Sequence, residues 1–239
     1  MLSVFKLLIY FFAYLFHRND NSKVIYYHDL GLKYTDMGTD FNLFKKHIDI
    51  IRKDGYQIVP KITQRQKEVM VCFDDGWKGI YEYKDYFVEQ KIYPTIFIAV
   101  ELIGSEGYLK KEQILELEEM GFNFESHTWS HKDLTTFDVK DLEHELRDSK
   151  ERLETTFGHS FNSICYPMGR FSRLVYEESK KSGYSKIYSS ILGGYYDEEE
   201  KGMICRNCVQ FSSPFEFKCM LNSTSRFFRK RLIKQQFVS

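Results

Sequence analysis

From residue 24 onward, short β-branched or aromatic runs alternate with stretches of helical periodicity, the pattern of parallel strands joined by crossover helices. Residues 24–27 read as the first strand. Leu43, Phe44, His47, Ile48 and Ile51 then recur at helical spacing until Gly55 supplies a stop, and residues 56–59 form the next strand. Residues 69–73 are a continuous apolar run, as a strand buried on both faces requires, and the run stops at Asp74-Asp75-Gly76. A helix over about 78–90 leads to a strand at 95–100, and a helix over about 110–120 ends at Gly121. Residues 122–125 are a strand, with His127 just beyond it. The clearest helix covers about 138–157, with Leu142, Leu146, Ser149, Leu153 and Phe157 on one stripe and Gly158 as its stop. A strand at 163–166 breaks at Pro167, a helix follows to Ser182, and strands at 184–189 and 203–209 complete the set. About seven strands in this order predict a βα barrel of parallel strands, in which functional groups gather at the C-terminal strand ends. The carboxylate pair and the histidines after residue 126 both fall at such ends.

At 239 residues the chain fits one domain. The pattern divides it into an apolar segment at 1–20, a main domain at 21–213 and a tail at 214–239. Leu2 to Phe16 is apolar except for Lys6, but shorter than the roughly 20 residues that span a bilayer as a helix. Its charge does not precede the apolar run and no small-residue cleavage site follows, so an uncleaved anchor or interfacial helix is expected, with a core helix as the alternative. Arg226 to Lys234 mixes basic and apolar residues as membrane-surface helices do. Together the two ends predict peripheral association with an anionic membrane, on a side the sequence leaves open; a solvated tail is the competing reading.

Composition adds little to this picture. An apolar share of 43% is ordinary, whereas 21 Phe and 17 Tyr leave aromatic side chains for a sugar-binding surface. Lys plus Arg equals Asp plus Glu at 34 each, so no overall field draws in nucleic acid, which is not expected as a partner. Five scattered cysteines do not make a disulfide framework and are expected reduced and mostly buried. Cys205 and Cys208 lack a second pair, and on a strand they point to opposite faces, which disfavours a zinc knuckle or redox pair.

Adjacent carboxylates at a strand end repel each other unless a cation or shared proton relieves them. Asp74-Asp75 is therefore a candidate site, although an Asp-Asp-Gly turn is also a common solvated loop. Ser-His-Thr-Trp-Ser-His at 126–131 sets two imidazoles four residues apart after a strand, so one turn of chain can bring both to one ion. Trp129 between them either stacks on a sugar ring or packs behind the site.

Cys72-Phe73-Asp74-Asp75-Gly76 and Ser126 to His131 resemble the first two motifs of polysaccharide deacetylases, the NodB-homology group also called carbohydrate esterase family 4. Cys165-Tyr166-Pro167-Met168-Gly169 is similar to the third. The resemblance covers about residues 24–210 and implies a distorted (β/α)7-type barrel. It implies hydrolytic N-deacetylation of N-acetylhexosamine units in a glycan or surface polysaccharide. A lipid-linked amino sugar and a silent glycan-binding domain are the alternatives. It further implies one divalent metal ion, Zn2+ or else Co2+ or Ni2+, held by Asp75, His127 and His131, with Asp74 as general base for the attacking water. The backbone N–H of Met168 would face the oxyanion, and Tyr166 would bind substrate or support the site. Cys165 stands where many members have an Arg that orients the base; Arg170 and Arg206 are the candidate replacements, each also readable as a rim charge. The family's usual late catalytic His is missing, since no His follows His159. Tyr26-Tyr27-His28-Asp29 resembles the opening segment of poly-N-acetylglucosamine deacetylases, which implies His28 as general acid.

Overall fold

The computed structural model describes residues 11, 14–16, 18–197, 202–223 and 236–237. Its strands in chain order are β1 (Lys23–Tyr27), β2 (Asp29–Leu30), β3 (Gly38–Thr39), β4 (Gln57–Ile58) and β5 (Glu68–Phe73). They continue as β6 (Thr95–Ile98), β7 (Asn123–Ser126), β8 (Ser163–Cys165), β9 (Lys186–Tyr188), β10 (Met203–Ile204) and β11 (Arg206–Cys208). Nine of them form one sheet in the order β10-β9-β8-β7-β6-β5-β1-β11, with β4 also on β5, and the pairings between these strands are all parallel. β10 lies on β9 and β11 lies on β1, yet only Cys205 separates them in the chain. The two edges of the sheet therefore meet in one stretch of backbone, which is how the strands curl into a distorted barrel.

Both faces of the strands are buried, as the unbroken apolar runs predict. Val24, Tyr26, Met70, Cys72, Phe97, Cys165 and Tyr188 pack together on one face. Ile25, Tyr27, Val71, Phe73, Ile96 and Ile98 pack on the other, with Phe44, Ile48 and Ile51 of helix Phe41–Lys53. Asp40 starts that helix, its side chain accepting from Leu43 N at 2.9 Å.

Two predicted helices are interrupted. Instead of one helix over 78–90 there are two short ones, Gly79–Glu82 and Lys84–Glu89, divided at Tyr83 with φ −110°. The predicted helix 138–157 is α-helical at Val139–Glu143 and Ser149–Phe157, but His144–Asp148 between them is a π-turn. The extra residue shifts the inward stripe, so that Glu145 is buried beside Leu142, Leu146, Ser149 and Leu153. The predicted strand 203–209 is likewise divided at Cys205.

Most of the residues 1–20, and all of 226–234, lie outside the described residues. Of the former, Phe11 sits 5.9 Å from Phe215 and Tyr14 packs on the outer core, whereas Leu15 and Phe16 are 50% and 72% exposed. No described helix is long and apolar enough to cross a membrane.

Helix Phe41–Lys53 is joined to the C-terminal helix Pro214–Leu221 through a buried histidine. The Nε2–H of His47 donates to Ser212 O at 2.9 Å, its Nδ1 accepts from the Tyr27 hydroxyl at 3.0 Å, and its ring stacks on Phe217. Burial pulls its pKa from 6.5 to about 4, so the folded state requires the neutral ring. The unfolded chain takes up the proton first as pH falls. The contribution is full above pH 6.5 and is lost between there and about 4, a change on the order of 3 kcal/mol. A His47→Gln protein should show a flatter dependence of unfolding free energy on pH over that window; an unchanged slope would refute the coupling.

Candidate functional site

Strand alternation aims the first carboxylate. Met70 and Cys72 face the barrel interior, so Asp74, two residues further on, does too, and its N–H donates to Tyr27 O at 3.0 Å. Val24 and Tyr26 are in register with Met70 and Cys72, which brings His28 alongside Asp74. Asp75 leaves the strand pattern with φ +71° and turns towards the neighbouring strand end. Four of the six described non-glycine residues with positive φ are Asp75, Thr128, His131 and Met168, so uncommon backbone collects at this end of the barrel.

Asp75 Oδ1 lies 2.9 Å from His131 Nε2 and 3.3 Å from His127 Nε2. Neither ring nitrogen is aligned to donate to it, and the oxygen is buried without a hydrogen bond. Three donor atoms thus converge on a common point. His127 Nδ1–H donates to Cys165 O at 2.7 Å, which fixes the tautomer and leaves Nε2 as a lone-pair donor. The other Asp75 oxygen accepts from Trp77 Nε1 at 3.0 Å. One carboxylate and two imidazoles so oriented suit a divalent ion such as zinc, with positions left over for water and substrate. Burial pushes the Asp75 carboxyl up, and positive charge at the two imidazoles, where they are protonated, outweighs it and holds the group well below the usual range; a cation held by the same three atoms would take the place of those protons.

Asp74 is clamped. Arg206 donates through Nη1 to Oδ1 at 2.6 Å and through Nη2 to Oδ2 at 2.8 Å, a bidentate pair with both side chains buried. Arg206 Nη2 also reaches Cys165 Sγ at 2.7 Å, its Nε donates to Ser189 O at 3.1 Å, and its guanidinium lies over the Tyr26 ring. Register explains this approach, because Arg206 is opposite inward-facing Val24. Burial would raise the Asp74 pKa, and the guanidinium overrides it, holding the group ionised. Asp74, His127 and Cys165 also approach one another, but Arg206 occupies the first and third.

Of the two candidate arginines, then, Arg206 meets Asp74. Arg170 instead pairs with Asp133 Oδ2 at 2.8 Å on the surface. His28 is half-buried, its Nδ1 hydrogen-bonded to Gln210 Oε1. Met168 occupies a tight turn, Pro167–Gly169, with φ +56° and an exposed side chain. Trp129 is directed away from the three donors: its Nε1 donates to Glu101 at 3.2 Å and its ring packs on His144. Tyr166 points into the core, where its hydroxyl donates to Ser179 at 2.9 Å, so it supports the turn and contacts no ligand position.

Three contributors escaped the sequence reading. Trp77 follows the Asp-Asp-Gly turn, and its adjacency was the available signal. Glu145, on the π-turn, accepts from the N–H groups of Trp129 and Ser130 at 3.1 and 3.0 Å and from the Ser130 hydroxyl, fixing the loop that carries His131. Gln210 had no signal at all, being remote in sequence from His28.

Against known proteins, residues 61–187 match the family model described as polysaccharide deacetylase. The YxkH protein of Bacillus subtilis (strain 168) is 31% identical over 182 residues, 71% of this chain but 64% of YxkH, so the chain spans under two thirds of that relative. The Streptococcus pyogenes deacetylase PplD, solved in complex with acetate, superposes with a TM-score of 0.74 at 18% identity, over 84% of this chain and 98% of that one. IcaB from Ammonifex degensii gives 0.71 at 20% identity, over 85% and 98%. At such identities the two structures establish a shared fold.

Proposed function

The chain belongs to the polysaccharide deacetylase family, and we propose that it hydrolyses the N-acetyl group of N-acetylhexosamine units in a glycan, using one divalent ion at Asp75, His127 and His131. The observation that carries this reading is the convergence of those three donors beside an ionised, arginine-clamped Asp74. When bound, the ion supplies a Lewis acid for the acetyl carbonyl and lowers the pKa of water. Asp74 takes the proton of the attacking water, with Arg206 fixing the plane of its carboxylate. The Met168 N–H faces the oxyanion. As the C–N bond breaks, the nitrogen takes a proton from the imidazolium form of His28, whose Nδ1–H donates to Gln210 Oε1 and so leaves the Nε2 proton as the one free to transfer; the products are acetate and a free amine.

Acetate release from the metal-loaded protein, measured on chitooligosaccharides, poly-N-acetylglucosamine and a lipid-linked N-acetylamino sugar, tests the proposal. Release from none of the three overturns it. A His28→Ala protein is expected to lose about 10² to 10⁴ in kcat while keeping its metal; near-normal turnover would refute the acid role, and loss of metal would make His28 a ligand. Peripheral attachment to an anionic membrane is part of the same proposal, supported by the basic stretch at 226–234 and by exposed Leu15 and Phe16. If the full chain floats with anionic vesicles no better than a protein lacking residues 1–20, attachment through that segment is wrong.

A further inference from the structure

Beside the metal donors lies a cavity of about 690 Å3 whose floor is the stacked pair Trp77 and Tyr108, ring centroids 4.1 Å apart. Trp77 connects it to the site through its hydrogen bond to Asp75. The walls are fixed by backbone: Lys78 N donates to Gly107 O at 2.8 Å and Leu109 N to Gly76 O at 2.9 Å, so the 104–109 loop is sewn to the Asp-Asp-Gly turn. A flat aromatic floor of this kind suits the apolar face of a pyranose ring.

The charges around this floor are unevenly matched. Lys33 is occupied by Glu82 at 2.7 Å, and the Tyr34 hydroxyl donates to the same carboxylate. Half-buried Lys78 is not so occupied: its ammonium is 5.8 Å from the Tyr34 ring, and among the described residues no carboxylate lies within ion-pair reach of it or of Lys110 at the rim. Exposed Glu106 is the single acidic lining residue. Glu82, held by Lys33, acts on Lys78 only at longer range, so the lining sets Lys78 and Lys110 beside a single carboxylate of its own, Glu106.

We propose that this cavity is a subsite for a sugar bearing an oxyanion, a carboxylate or a phosphate ester, next to the N-acetylated unit at the metal donors, with Lys78 and Lys110 as its charged contacts. The inference rests on the deacetylase reading for its neighbour but concerns binding, and the two are separable by experiment. Affinities of the metal-loaded protein for chitotetraose, a hyaluronan tetrasaccharide and N-acetylglucosamine 1-phosphate are compared by calorimetry at low and high salt. Tighter binding of an anionic probe by about tenfold, weakening as salt rises, is expected. Preference for the tetrasaccharide indicates a carboxylate, and for the monophosphate a phosphate ester. Lys78→Met with Lys110→Met should abolish the preference and keep the affinity for chitotetraose. Equal affinity for the three probes overturns the proposal, and so does a preference that survives in the double variant, which would place the anion on the metal instead. Acetate release in the same samples reports separately: its absence beside a lysine-dependent preference would remove the deacetylase reading and leave the anion subsite standing.

Discussion

A His127→Ala protein is expected to lose its divalent ion and its acetate release together. Its Nε2 is one of three atoms converging within the site, and the Asp74 carboxylate and Cys165 sulfur near it are already engaged by Arg206. A gradation should accompany the loss. Trp77→Phe removes the hydrogen bond to the outer oxygen of Asp75 and leaves all three donors, so metal affinity should fall by only about 10- to 100-fold. Metal content after dialysis and turnover, measured on both proteins, check the order. A full equivalent of metal in His127→Ala at native turnover would overturn the donor set.

Arg206→Met is expected to cost more than its distance from the metal donors suggests. The substitution leaves Asp74 buried without its partner, for which about 3 to 5 kcal/mol of stability is the usual loss. The titration of Asp74 should also reverse. With the guanidinium present, the folded pKa lies below 3.8, so the ionised carboxylate adds stability above 3.8 that is lost as pH falls through the lower value. Without it, burial is opposed only by the weaker pull of His127 and His28, the folded pKa rises, and the base is protonated further into the working range. The acid limb of the pH dependence of kcat/KM should therefore move to higher pH, with turnover down by about 10² to 10⁴ and metal content retained. Arg206→Lys keeps the charge but not the fork, and should recover the stability more than the rate. An unmoved acid limb in Arg206→Met would refute the orienting role.

The convergence of the three candidate donors was legible because they are local. Asp74-Asp75 ends an apolar run and His127 and His131 are four residues apart, so spacing alone brings each pair to a strand end. The partner of Asp74 was not legible in the same way. Arg206 is 132 residues away, and an arginine in a run such as Met-Ile-Cys-Arg-Asn-Cys reads equally as a rim charge until β11 is known to lie on β1 with Arg206 opposite Val24. Cys165 made sense only afterwards: a small side chain at the end of β8 leaves the volume that the guanidinium enters from another strand. Helical periodicity likewise gave 138–157 as one helix, because a single inserted residue alters the stripe by less than the spread of its apolar positions.

That the two edges of the sheet meet in one backbone segment, with Arg206 on it, bears on the order in which a growing chain becomes competent. Synthesis runs from the N-terminus, and domains organise as their parts emerge. Asp75, His127 and His131 all precede residue 132, whereas Arg206 and Gln210, which hold the base and His28, come about seventy residues later. On the proposed reading, a nascent chain that has passed Cys165, whose carbonyl accepts from His127 Nδ1, can gather the three donors before Arg206 aligns Asp74. Reactivity, on that reading, waits for the segment 203–208 to lie on β9 and β1, and a polypeptide cut short between β9 and β10 would carry the three donors without the arginine that orients Asp74.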